Sequence, residues 1–257
     1  GIERSWLNNY KPAMRALGIS EQVINRVIIN PSKECLEYEP TGIPIYLEQR
    51  MTRKLGKWTI TGKTDFVGEG KVQDFKSTKV WGYMNQVNAI KYAEQGSIYR
   101  WLDPKIITSD IMEIHYIFLD WKGSLVETDP KYPQKQCLTQ KFILNRLQDT
   151  ERFIVNKLKL IEEMWDADEQ DLPLCTPEEL WRRAPQFKYY KNGDINSKRS
   201  TKNFNTQQEA SHYMSTTGKG IGAIKEVPGQ VTACKYCPVF SICTQKDSLI
   251  MSGQLVI

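Results

Sequence analysis

Residues 58–78, WTITGKTDFVGEGKVQDFKST, are two stretches of alternating character joined by Gly68-Glu69-Gly70. Such a pattern leaves few ways to fold. Side chains two apart on a strand share a face, so Thr59–Val67 and Lys71–Lys76, paired across a glycine turn, form a hairpin. On that hairpin Asp74 and Lys76 point the same way, and Asp65 is placed beside Asp74. Two carboxylates and an ammonium then converge. Paired carboxylates repel unless a hard cation takes their oxygens, and Mg2+ or Mn2+ does so while keeping several waters. The backbone carbonyl of Phe75 is a further candidate oxygen. A lysine beside such a cation suits phosphodiester hydrolysis, where it orients the attacking water or offsets charge on the phosphate oxygens. An Asp-x-Lys tripeptide alone is common on exposed hairpins, so the rest of the chain has to support the assignment.

At 257 residues the chain is long enough for one domain with an appendage or for two small domains. An apolar content of 40% and a charged content of 25% suit a globular protein. No apolar run approaches the ~18 residues of a membrane span, so no membrane partner and a cytoplasmic location are expected. A net charge of +5 and a pI near 8.7 permit an anionic partner without demanding one. Six cysteines point to metal or thiol roles before disulfides. With only His115 and His212 present, histidine-rich zinc catalysis and a serine triad have little to draw on.

Taken in order, Ile2 to Leu17 has helical spacing with a break at Pro12, and Ser20 to Ile29 reads as a second helix capped by Ser20. Asn30 to Pro44 reads as a loop, and Ile45 to Arg53 as a strand leading into the hairpin. Glu48 on that strand is either a further acid lining the site or half of a surface ion pair. Ser77 to Tyr83 reads as a loop feeding a helix from Asn85 to Leu102, stopped by Asp103-Pro104. Gln95 and Tyr99, four apart, share a face of that helix. They either steady a substrate strand or pack the helix, beside Tyr92, Ile98 and Leu102. Asp110 to Trp121 reads as a buried strand with His115 hydrogen-bonded inside it, Lys122 to Cys137 as a loop, and Leu138 to Asp166 as a long helix.

The succession of Asp65, Asp74-x-Lys76 and Gln95-x-x-x-Tyr99 resembles the PD-(D/E)XK nucleases of the RecB-like branch. The phrases GKTDFV, QDFKST, EQGSIYRWL and IFLDW are most similar to phage-encoded exonucleases of that superfamily, from about Glu48 to the C-terminus. The resemblance implies a restriction-endonuclease-like α/β core, a mixed sheet flanked by helices, and divalent-metal hydrolysis of DNA in end processing or recombination. By that pattern Asp65 and Asp74 hold Mg2+ or Mn2+, Lys76 assists the water, and Gln95 and Tyr99 position the substrate. RecB-like members also carry a histidine or glutamate on an early helix. Glu3 is the nearest match here, Glu48 a weaker one, and the opening GIERSW resembles the residues that follow that histidine, so the ligand is expected to precede Gly1.

The C-terminal third differs in composition. Cys234, Cys237 and Cys243 have C-x2-C-x5-C spacing, which lets thiolates of one tight loop converge on a soft metal. Cys175, in a proline-bounded loop, is the favoured fourth ligand, with Cys35 and then Cys137 behind it. The spacing is similar to the iron–sulfur staple of AddB-type nucleases, so a [4Fe-4S] cluster and a structural Zn2+ both stand open. Phe187 to Phe204 reads as a hairpin around an Asn-Gly turn, with Lys188, Lys191, Lys198 and Arg199 as candidate contacts to a DNA backbone. Gln207 to Ser215 reads as a short helix, and Gly218-Lys219-Gly220 as a turn, not a phosphate loop, because no G-K-[ST] follows it. The expected organisation is a nuclease core over residues 1–170 and a small cysteine-rich metal subdomain over 171–257. The expected function is a metal-dependent DNA exonuclease acting on linear single- or double-stranded ends. A nuclease-fold DNA-binding or assembly factor without turnover is the alternative, and a restriction-type endonuclease a third.

Overall fold

The computed structural model describes residues 6–257. The chain divides at Leu158 and Lys159 into two compact units. Glu3 lies outside the described residues. No helix among the described residues is long and apolar enough to cross a membrane.

The first unit is an α/β fold on a mixed sheet of six strands arranged in chain order. A π-helical turn at Trp6–Tyr10 leads into α1 (Lys11–Ala16), with Pro12 in its first turn, where its missing N–H costs nothing. Helix α2 is a single turn, Glu21–Ile24, capped by Ser20, which accepts from Val23 N at 3.4 Å. The expected continuation to Ile29 is instead strand β1 (Val27–Ile29), parallel to β2. Three consecutive β-branched residues favour a strand over a helix once a neighbouring strand is available. The expected loop after it contains helix α3 (Lys33–Tyr38), capped by the Ser32 hydroxyl.

Strands β2 (Ile43–Leu55), β3 (Trp58–Gly68) and β4 (Lys71–Thr78) form an antiparallel meander. Helices α4 (Val80–Met84) and α5 (Ala89–Leu102) then cross to β5 (Ile111–Phe118), which runs parallel to β4. Parallel neighbours require such a crossover. Strand β6 (Cys137–Ile143) closes the sheet antiparallel to β5, so the expected long helix begins later, as α6 (Leu147–Glu163). The core gathers Val67, Val72, Met112, Ile114 and Phe118 from the strands with Trp101, Leu102 and Ile154 from the helices.

Helix α5 lies close on the sheet because glycine stands at both contacts. A Cβ at Gly62 would be 2.7 Å from Leu102 Cδ1 and 3.0 Å from Tyr99, and one at Gly96 would be 2.6 Å from Met112 Sδ. Helix α6 docks beside α5 through Glu151, which accepts from Trp101 Nε1 at 2.9 Å and faces Arg53. On the opposite face of the sheet His115 is hydrogen-bonded at both ring nitrogens, to Thr139 at 2.8 Å and Gln73 at 3.0 Å. The hydrogen bonding is as its place in the strand led one to expect, but the ring is half-buried and outside the core.

The second unit holds an antiparallel sheet in the order β8-β7-β9, formed by β7 (Gln186–Tyr190), β8 (Lys202–Phe204) and β9 (Ala223–Val227). The expected hairpin is present, but residues 191–201 connect its strands, a longer path than a two-residue Asn-Gly turn. Helix α7 (Gln207–Ser215) opens with a capping box between Thr206 and Glu209. Helix α8 (Thr244–Met251) starts immediately after Cys243, and a small core of Leu180, Val231, Leu249 and Leu255 packs around it. Thr244 N donates to Glu169 at 2.6 Å, which ties the segment before residue 171 to this unit.

Candidate active site

Strand alternation alone would aim Asp65 and Asp74 at each other, yet the strands depart from regularity where these residues lie. Opposite Asp65, Glu48 adopts a left-handed backbone, φ +52°, and both drop out of an otherwise continuous β2–β3 ladder. A glutamate gains nothing from that conformation, so the surrounding sheet imposes it. The effect is to change which residues of β3 face the core. Gly62 and Thr64 do so before the irregularity, and Val67 does so after it, a step of three where a strand repeats in two.

The β3–β4 ladder is short. It pairs Gly68 with Lys71, Val67 with Val72 and Phe66 with Gln73, and the next step in register is Asp65 against Asp74. There the pairing stops, with Asp65 exposed on β3 and Asp74 buried on β4. Asp74 is 4% exposed, and its Oδ2 lies 2.6 Å from Lys76 Nζ. That contact is an ion pair, and Oδ2 is a buried oxygen without a well-formed hydrogen bond among the described residues. The ion pair therefore offsets its charge without filling its lone pairs.

Burial and then the Asp74 charge push the Asp65 carboxyl up from its ordinary range, Glu48 adds to this, and Lys76 and Lys63 oppose it. For Lys76 burial acts downward, but the close approach and charge of Asp74, with smaller effects from Tyr92 and Asp65, outweigh it and hold the ammonium above its usual range. Lys76 is therefore a cation throughout the neutral range. Glu48 is ion-paired to Lys63, the surface-pair alternative, and its charge adds a smaller upward push on the Asp65 carboxyl.

Helix α5 supplies the next layer. Gln95 Nε2 donates to the Tyr99 hydroxyl at 3.0 Å, and Tyr99 lies against β3 at Gly62. Tyr92, three residues before Gln95 on the same face, reaches the electrostatic surroundings of Lys76. Among the described residues no hydrogen bond joins Gln95 or Tyr99 to Asp65 or Asp74. Tyr92 and Lys63 are the site residues that sequence reasoning passed over. Lys63 was legible in GKTD, two residues before Asp65, and Tyr92 in its helical spacing from Gln95. The Phe75 ring points to the opposite face, tilted against His115 with centroids 5.0 Å apart, and beyond Gln73 the flank of its strand facing β3 is unpaired among the described residues.

In the second unit, burial and then Glu179, Cys243 and Cys237 push the Cys175 thiol up; burial and then Cys243, Cys237 and Cys175 do the same for Cys234. Cys175 and Cys234 thus lie within electrostatic reach of each other and of Cys237 and Cys243. Gln245 on α8 fixes the loop of Cys175 beside them, accepting from its N–H at 3.0 Å and donating to its carbonyl at 3.1 Å. All four are free thiols, and among the described residues no group of three or more His, Cys, Asp or Glu is closed tightly enough to hold a metal. Proximity is present and closure is not. Cys35 and Cys137 belong to the first unit. Of the four basic residues expected on the hairpin, Lys191 borders a cavity. Lys188 lies mid-strand between Asn203 and Lys225, and Lys198 and Arg199 sit exposed in the connection.

A scan against protein-family models finds no match, and a search of the curated proteins finds none. Among solved structures the chain is similar to the crystal structure of SSO0001, at 14% identity over 59% of this chain and 69% of that chain, with a TM-score of 0.31.

Proposed function

We propose that this chain is a divalent-metal-dependent deoxyribonuclease with a PD-(D/E)XK core, acting as an exonuclease on linear DNA. The observation that carries the reading is the buried Asp74 Oδ2, without a hydrogen-bond partner among the described residues, beside Lys76 and opposite in register to an Asp65 carboxyl that burial and then the Asp74 charge push up. An orphaned carboxylate oxygen and a second, electrostatically strained acid fit a hard cation. Mg2+ or Mn2+ held by Asp65 and Asp74 would supply neutralisation of those acids and polarisation of the phosphodiester. Lys76 holds positive charge where the phosphate oxygens gain negative charge, and its place beside Asp74 lets it orient a water for attack. Gln95 and Tyr99, locked to each other, present a rigid amide and phenol edge that orients the strand. The four neighbouring cysteines of the second unit are soft donors suited to Zn2+ or a [4Fe-4S] cluster as a structural staple.

Asp74→Ala and Lys76→Ala should each lower Mg2+- or Mn2+-dependent release of labelled nucleotides from linear DNA by about 10²-fold or more, with circular dichroism unchanged. Full cleavage by both variants would sink the assignment. A second reading, a DNA-binding or assembly factor without turnover, draws on Glu48 being tied to Lys63 and on the missing closed three-acid group among the described residues. Binding of linear DNA without cleavage in either metal would favour it, and cutting of closed circular DNA would mark an endonuclease.

A further inference from the structure

A cavity of about 730 Å3 opens in the second unit between the β7–β8 connection and residues 217–222. Its size falls within the roughly 300–1,000 Å3 of small-ligand sites. Lys191 stands on one lip and Lys219 on the other, and among the described residues no Asp or Glu lines it. Both lysines are exposed, and among the described residues neither is paired with a carboxylate. The surroundings are basic as well. Residues 186–225 hold seven Lys and Arg against two Asp and Glu, a surplus of five, which equals the net charge of the whole chain. The site is therefore prepared for an anion.

The floor is aromatic. Tyr189 is buried, donates its hydroxyl to Ile221 O at 2.7 Å, and meets Tyr213 edge-on at 5.5 Å. The Lys202 ammonium lies 4.5 Å from the Tyr213 ring centroid. An inorganic anion or an acidic peptide would use the lysines and leave this floor idle. A nucleotide uses both, since its phosphate takes the cations and its base has a flat π-face for the rings. A base paired inside a duplex cannot reach such a floor.

We propose that this cavity binds one phosphate-bearing nucleotide of a single-stranded DNA, with the phosphate between Lys191 and Lys219 and the base against Tyr213. The proposal rests on the nuclease reading only for the choice of DNA as the anion. It gives the second unit the task of holding an unpaired strand.

The test uses the full chain in EDTA, so that no cleavage occurs, and reads fluorescence anisotropy of labelled oligothymidylate. Lys191→Ala with Lys219→Ala should weaken binding at least about tenfold and lower the slope of log K against log salt by about 0.7, the change for one phosphate charge no longer neutralised. Tyr213→Leu should weaken oligothymidylate, leave that slope unchanged and spare duplex DNA. Unchanged affinity in the lysine double variant would overturn the proposal, as would equal loss of duplex binding in Tyr213→Leu or displacement of the oligomer by polyglutamate as readily as by unlabelled oligothymidylate. Cleavage assays on Asp74→Ala separate the two readings: persistent cleavage there, with binding lost in the lysine variant, removes the nuclease reading alone.

Discussion

Because burial and the Asp74 charge push the Asp65 carboxyl up, the folded chain binds a proton there more tightly than the unfolded chain does. For an acid shifted in this direction, stability falls as pH rises through the carboxylate range. Metal-free Asp65→Asn should therefore be more stable than the parent at neutral pH, and the difference should vanish in acid where Asp65 is protonated. A cation bound to the same acids reverses the sign. At a hundredfold excess over its dissociation constant, Mg2+ or Mn2+ should stabilise the parent by about 2.7 kcal/mol and leave a variant with both Asp65→Asn and Asp74→Asn unmoved. Thermal melts with EDTA and with metal, between acid and neutral pH, measure both effects. Equal response of parent and variant to the metal would remove these carboxylates from the site.

Gly96 gives helix α5 its seat on β5. In an exposed helix, exchanging Gly for Ala gains up to about 1 kcal/mol. Here the new methyl would lie 2.6 Å from Met112 Sδ, 2.7 Å from Leu144 Cδ2 and 3.2 Å from Met112 Cβ. The two tips can swing, but the Cβ is fixed to a buried strand, so Gly96→Ala should cost about 1–3 kcal/mol, measured by urea unfolding. The altered seat should also lower cleavage, because Gln95 and Tyr99 flank it in sequence. The pattern that made α5 legible was its length and the Asp103-Pro104 stop, and the hairpin was legible from alternation around a glycine turn. Strand β6 was not, because Leu138 and Phe142 are four apart, a spacing that suits a helix face and a strand face equally. For Val27–Ile29, pairing with a strand sixteen residues on decides the conformation. The irregularity at Glu48 had no local signal at all, since nothing in a glutamate side chain favours positive φ. Asp65, Asp74 and Lys76 could be found by spacing, whereas the end of strand pairing at Asp65 and Asp74 comes from the sheet as a whole.

The two units differ in how they are held together. The first has a core shared among strands and two packed helices, while the cysteine-bearing end of the second rests on Leu180, Val231, Leu249 and Leu255. A core of that size supplies little surplus over chain entropy, and small folds of this kind depend on a staple. In the proposed reading a metal held by the thiols of Cys175, Cys234, Cys237 and Cys243 would supply one, joining the loop before Leu180 to the start of α8. Binding free energy at such a site is folding free energy. Cys237→Ser, or removal of the metal by a chelator, should therefore unfold residues 172–257 selectively, while the strands carrying Asp65 and Asp74 remain protected. Hydrogen exchange resolves the two regions, because each reports its own opening free energy. Metal analysis names the staple: an absorbance band at about 400 nm with stoichiometric iron marks a cluster, whose chromophore zinc lacks, and colourless protein with zinc marks the tetrahedral ion. Full protection of residues 172–257 in Cys237→Ser would show that these four leucine and valine side chains hold the unit without a metal.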